Sequence, residues 1–115
     1  MNWGKVFYIF FALMSLTTSV AFIFEHSATA LFAASSINFI SSILKLGVRN
    51  LLAAELLAGS LVADLHLIPA FIIFQFGDAG THEALVIGLV SGAIIANIYT
   101  LIISIVESAK TKEEF

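Results

Sequence analysis

The chain has no cysteine, one proline, and only five Lys and Arg against eight Asp and Glu in 115 residues. Without cysteine it can form neither a disulfide framework nor a thiolate metal site, and the redox compartment leaves no mark on it. With one proline and seven glycines there is no low-complexity stretch and no flexible interdomain linker, so residues 1–115 read as a single domain. The net charge of −3, a pI near 5.4 and the lack of a basic patch argue against a nucleic-acid partner. Gly-rich phosphate loops, G-x-S-x-G elbows, evenly spaced arginines and T-V-G-Y-G filters are missing too. No nucleophile–base arrangement can be defended, so the chain does not read as an enzyme, and no cofactor is expected.

What is present is apolar. Hydrophobic residues make up 60% and charged residues 11% of the chain, with a mean hydropathy of +1.05. About a quarter of a soluble domain is charged, and a domain this small could not hide so much apolar surface in its own core. Lipid is therefore the solvent for most of the chain. A helix needs about 20 mostly apolar residues to cross the hydrocarbon. Four runs qualify, 6–24, 27–44, 51–74 and 85–106, with short connections between them. Period-two alternation is absent, which excludes a barrel of strands. The fold class is all-α, a polytopic, left-handed antiparallel four-helix transmembrane bundle.

All five basic residues fall on one side of this arrangement: Lys5, Lys45, Arg49, Lys110 and Lys112. The positive-inside rule then places both termini in the cytoplasm, with Trp3 as an interfacial anchor. Ala28-Thr29-Ala30 resembles a signal-cleavage site, but the apolar run before it is too long for a usual signal peptide, and three more spans follow. Residues 107–115 read as a short mobile tail, although their Glu/Lys mixture could equally prolong the fourth helix. The loop Gly77–Gly80 reads as the most flexible connection.

Helices in lipid associate through close backbone approach and interhelical hydrogen bonds. Gly88, Gly92 and Ala96 form a small-residue stripe on the fourth span. Ala30, Ala34, Asn38 and Ser42 repeat that period on the second, and Gly59 and Ala63 do so on the third. Such stripes serve packing within one chain or between copies. Thr17, Asn38, Asn97 and Tyr99 all fall near mid-membrane by depth.

The third span carries the strongest functional signal. A carboxylate at mid-bilayer costs roughly 2.5–3.5 kcal/mol on insertion scales, so Asp64 needs a protein partner or a cavity. Glu55 and His66, eleven residues apart, share one face, while Asp64 points nearly opposite. Pro69 removes the backbone bond to Leu65 and predicts a kink in helix three beside Asp64 and His66. Asp64, His66 and Glu55, with Asn38, Asn97 and Tyr99 at similar depth, form the candidate proton or cation site. The alternative is an interhelical clasp in which Asp64 bonds to Asn38 or Asn97. Glu55 could likewise simply pair with Lys45 or Arg49. On the other side, Glu25, His26, Asp78, His82 and Glu83 are possible metal ligands without a defined spacing. An acidic, solvated face is the plainer reading of those five.

The string LLAAELLAGSLVADLHLIPAFIIF and the opening MNWGKVFYIFFAL resemble an uncharacterised family of short four-span bacterial inner-membrane proteins. That resemblance implies a bacterial inner-membrane location and transfers no catalytic or binding residue, since the family has no assigned activity. Small multidrug transporters differ in carrying their essential Glu in the first span, and fluoride channels differ in their Gly-rich and Thr/Ser-Phe motifs. The expected function is a structural or accessory subunit of a membrane assembly, partnered by lipid and by further copies or a larger complex. The alternative is an oligomeric proton- or cation-conducting channel or transporter that uses Asp64 with His66 and Glu55.

Overall fold

The computed structural model describes residues 3–46, 53–77 and 83–111. They form four helices: α1 (Trp3–Glu25), α2 (Ala28–Leu46), α3 (Ala53–Phe76) and α4 (Glu83–Thr111). All four are long and apolar enough to cross a membrane. With no water to bond the backbone in lipid, an uninterrupted helix is the conformation that satisfies every spanning N–H and C=O within its own segment. The molecule is an all-α four-helix bundle 52 Å long, a multi-pass membrane protein.

Each helix packs against its neighbours in sequence and α4 closes against α1, forming a square of four seams, crossed by the Phe22–Phe74 ring contact between α1 and α3. The register is antiparallel at every seam. Ser15 meets Ala34 and Ser41 meets Tyr8 between α1 and α2. Ser35 meets Leu67 and Asn38 meets Asp64 between α2 and α3. Asn97 meets Ser15 and Lys5 meets Glu107 between α4 and α1.

The α1–α2 turn shows why two residues suffice there. His26 lies in the left-handed region at φ 51°, and its N–H returns to the Phe22 carbonyl at 2.7 Å, closing α1. Ser27 then caps α2: its Oγ accepts from the Ala30 N–H at 3.4 Å. Glu83 in the first turn of α4 and Lys110 in its last suit the helix dipole.

Burial reverses the soluble pattern. Leu65 is 72% and Phe24 82% exposed, while Ser15, Ser19, Ser41 and Ser60 are fully buried. Large apolar side chains face lipid, which solvates them as well as protein would, and small residues let backbones approach. An apolar cluster of Phe22, Leu31, Ala34, Ala63, Leu67, Ala70, Val86, Val90 and Ala93 fills the half nearest the α1–α2 turn.

Helix α3 continues through Pro69 to Phe76 as one helix. Of the two readings of residues 107–115, the prolonged fourth helix holds as far as Thr111, with Glu107 in the helix. The cause is local: the Lys5 ammonium lies 3.3 Å from Glu107 Oε1 and also donates to Ser108 Oγ, pinning the last turns of α4 to α1. Thr17 is exposed and donates to Met14 O on its own helix at 3.0 Å, so it adds nothing to the interior. The loop expectation at Gly77–Gly80 lies outside the described residues beyond Gly77.

Candidate functional site

Two polar stripes at helical spacing meet at the α2–α3 seam. On α2, Asn38, Ser42 and Lys45 share a face at i, i+4 and i+7. On α3, Ser60 and Asp64 stand one turn apart. Asp64 is only 6% exposed and directs its carboxylate at α2. Asn38 Nδ2 donates to Asp64 Oδ1 at 2.6 Å, and Ser42 Oγ donates to Asp64 Oδ2 at 2.6 Å. Both carboxyl oxygens thus make short hydrogen bonds to α2.

The donors are committed further. Asn38 spends its second amide hydrogen on the Ser60 carbonyl at 3.3 Å. Ser42 has one hydrogen and two acceptors in reach, Asp64 Oδ2 and the Asn38 carbonyl at 3.2 Å. Its hydroxyl can therefore bond to either. Asn38 Oδ1 is fully buried and has no hydrogen-bond partner.

Lys45 supplies the opposite charge. It is 5% exposed, donates from Nζ to Ser60 Oγ, and lies 5.5 Å from the centre of the Tyr8 ring. It forms no direct ion pair with Asp64, since Ser60 stands at its head. Sequence reasoning placed Lys45 at the membrane boundary and missed this role. The available signal was its place on the stripe of Asn38 and Ser42, seven residues from one and three from the other.

The remaining candidates lie elsewhere. His66 turns toward α4: its Nδ1 donates to the Val62 carbonyl at 2.7 Å, and the ring lies over Gly92. Glu55 is exposed in the first turn of α3 and makes no ion pair with Lys45, whose ammonium is engaged by Ser60. Arg49, its other expected partner, is outside the described residues. Asn97 is buried against α1, where Nδ2 approaches Ser15 Oγ at 3.5 Å. Tyr99 is 44% exposed, with its ring beside Gly59. Of the six residues assigned to one site, Asp64 and Asn38 are the pair joined by a hydrogen bond.

The packing residues divide as well. A Cβ on Gly92 would fall 2.6 Å from His66 Cδ2, and one on Gly59 would strike Thr100 Oγ1. Both glycines permit close approach of α3 and α4. Ala34 and Ala96 are buried. Among the described residues nothing lies within 4 Å of the Gly88 Cβ position. At the turn end, His26 Nδ1 lies 3.0 Å from Glu83 Oε1, while Glu25 is exposed. Asp78 and His82 are outside the described residues, and among the described residues no three metal-ligating side chains converge.

A sequence profile described as a family of unknown function, DUF6394, matches residues 25–108. The chain belongs to that family. No curated protein and no solved structure matches it. The matched segment contains the whole α2–α3 polar seam, and membership of DUF6394 assigns it no activity.

Proposed function

We propose that this member of DUF6394 is a structural or accessory subunit of a membrane assembly in the bacterial inner membrane, with both termini cytoplasmic. One observation carries the reading. The buried carboxylate is satisfied inside its own bundle, with Asn38 and Ser42 on its two oxygens and the Lys45 charge in the same cluster. Such a network holds α2 against α3 without a second chain, so the bundle can present its outer faces to partners. A described groove on the α2–α3 face, about 290 Å³ and lined by Phe32, Ser35, Ser36, Phe39, Ile68 and Phe71, contains no ionisable group. Conduction through Asp64, His66 and Glu55 together finds less support, because the three point to different surroundings.

The orientation rests on Lys5, Lys45, Arg49, Lys110 and Lys112 sharing one side. A C-terminal alkaline phosphatase fusion should be inactive and the matching fluorescent-protein fusion bright; the opposite pair of results refutes it. The subunit role is tested by isolating the tagged chain from native membrane in mild detergent. Stoichiometric copies or a fixed partner are expected. A lone monomer that restores proton or cation flux in liposomes, and loses it on Asp64→Asn, would replace this reading with the conducting one.

A further inference from the structure

Two hydroxyls at the outer surface of the bundle make no hydrogen bond among the described residues. One is Ser36 of α2, which lines the groove on the α2–α3 face, and the other is Tyr99 of α4, 44% exposed. They lie at one depth. Tyr8 meets Ser41 and Ser15 meets Ala34, a register that sets Leu13 level with Ser36. Lys5 meets Glu107 and Asn97 meets Ser15, which sets Leu13 level with Tyr99 as well. Helices α2 and α4 run the same way, so both side chains lean toward the same boundary. For Tyr99 that is the far boundary, since Glu107 stands about two turns, or 12 Å, in the other direction. The phenol therefore stays at hydrocarbon depth, where no water can serve it.

We propose that the Tyr99 ring of one copy seats in the α2–α3 groove of a second copy and donates its hydroxyl to Ser36 Oγ. This names a contact for the subunit role and rests on that role. The groove, about 290 Å³, sets Phe32, Phe39, Ile68 and Phe71 around Ser35 and Ser36. Ser35 turns its hydrogen to the Leu31 and Leu67 carbonyls, leaving Ser36 as the open hydroxyl. Three aromatic rings beside a hydroxyl match a ring that ends in a hydroxyl. Neither surface has a charge to desolvate.

A lipid tail could fill the groove, but it would leave both hydroxyls unpaired. A second copy in the same membrane orientation brings the missing group at the right depth. The chain cannot fill its own groove, because its Tyr99 ring lies beside Gly59 at the α3–α4 seam, with α3 in between. Gly88, about three turns from Tyr99 on the same side of α4, is open among the described residues, so no side chain there holds the copies apart. Joining two different patches is a heterologous contact, which builds head-to-tail rings or chains.

The test uses the full chain in its membrane. Tyr99→p-benzoylphenylalanine is coexpressed with a differently tagged copy, irradiated, and its adduct located by mass spectrometry. The adduct should join the two tags and fall within residues 32–39 or 68–71 of the other copy. Ser36→Leu, which fills the groove, should abolish it. An adduct with lipid alone, with a different protein, or with the other copy outside the groove overturns the proposal. Independently, Tyr99→Phe and Ser36→Ala should each weaken self-association about threefold, the size of one interhelical bond, and together no more than either alone. Losses that add overturn the Tyr99–Ser36 bond. A fixed complex whose Tyr99 adduct lies elsewhere sinks this contact and leaves the subunit role standing, whereas a lone monomer sinks both.

Discussion

The two halves of the bundle are held by different forces. Toward the α1–α2 turn the interior is dry but for two serine hydroxyls, Ser19 and Ser35: Phe22 packs edge-on to Phe74 with ring centroids 5.3 Å apart, and Leu31, Leu67, Val86 and Val90 surround the pair. Toward the termini the interior contains Asn38, Ser41, Ser42, Lys45, Ser60, Asp64, Thr100, Ser104 and Glu107. The dry half resembles the core of a soluble protein, but in lipid it gains only from packing, because hydrocarbon outside is as apolar as hydrocarbon inside. The polar half has directional bonds that lipid cannot replace. It can therefore specify which helices pair and in what register, while the dry half tolerates substitutions of similar volume.

The sharpest way to break this contrast is to remove one charge. Asp64→Leu leaves Lys45 buried without its opposing charge and strips Asn38 and Ser42 of their acceptor. Each buried donor left without its acceptor costs about 1–3 kcal/mol. We expect a loss of that order in an unfolding titration followed by circular dichroism, with partial recovery when Lys45→Met is added. In the dry half, Leu67→Ala should cost about 2–3 kcal/mol through the void it leaves, with no coupling to Lys45. If both substitutions cost the same and neither couples to Lys45, the two halves are not held differently.

The fold was legible because the signals for it are redundant. Four long uncharged or nearly uncharged runs admit few alternatives in lipid, and the five basic residues independently divide the chain the same way. The need of Asp64 for a partner was equally legible, from the cost of an exposed carboxylate. Which partner it found was not. Depth put Asn38 and Asn97 on equal terms, and only the square packing order decides: α2 lies beside α3 at the Asp64 face, whereas Asn97 turns to Ser15 on α1. The interior role of Lys45 was missed because a basic residue at a helix end serves the positive-inside rule and an interior hydrogen bond equally well. Its spacing from Ser42 carried the answer, but a serine in a membrane helix is too common to single out. His66 was drawn toward Asp64 by closeness in sequence, although two residues along a helix separate side chains by about 200°.

A smaller effect tests the α3–α4 seam. Gly92→Ala places a methyl against the His66 ring, which is held by its bond to Val62. We expect about 1–3 kcal/mol of destabilisation from overpacking, largely relieved by His66→Ala, as measured by a double-mutant cycle. Ser41→Ala, which removes only the bond to the Tyr8 carbonyl at 3.1 Å, should cost about 0.6 kcal/mol, the average for an interhelical bond in a bundle.

The least effect is expected at Gly88, and its smallness is informative. Each four-residue step advances a helical stripe by about 40°, so a series that begins at Gly88 has rotated well around α4 by Ala96. The structure shows that drift: Ala96 is buried, Gly92 lies under the His66 ring, and Gly88 is open. Gly88→Ala should thus leave the stability of the single bundle within about 0.5 kcal/mol, as for other surface changes. Gly88→Leu makes the comparison sharper, because a bulky side chain there starts from a position open among the described residues and acts chiefly on a neighbouring molecule. Normal unfolding together with a smaller particle in native detergent extracts would place another molecule against that face of α4. Unchanged particle size would confine the role of the stripe to Gly92 and Ala96, inside one bundle.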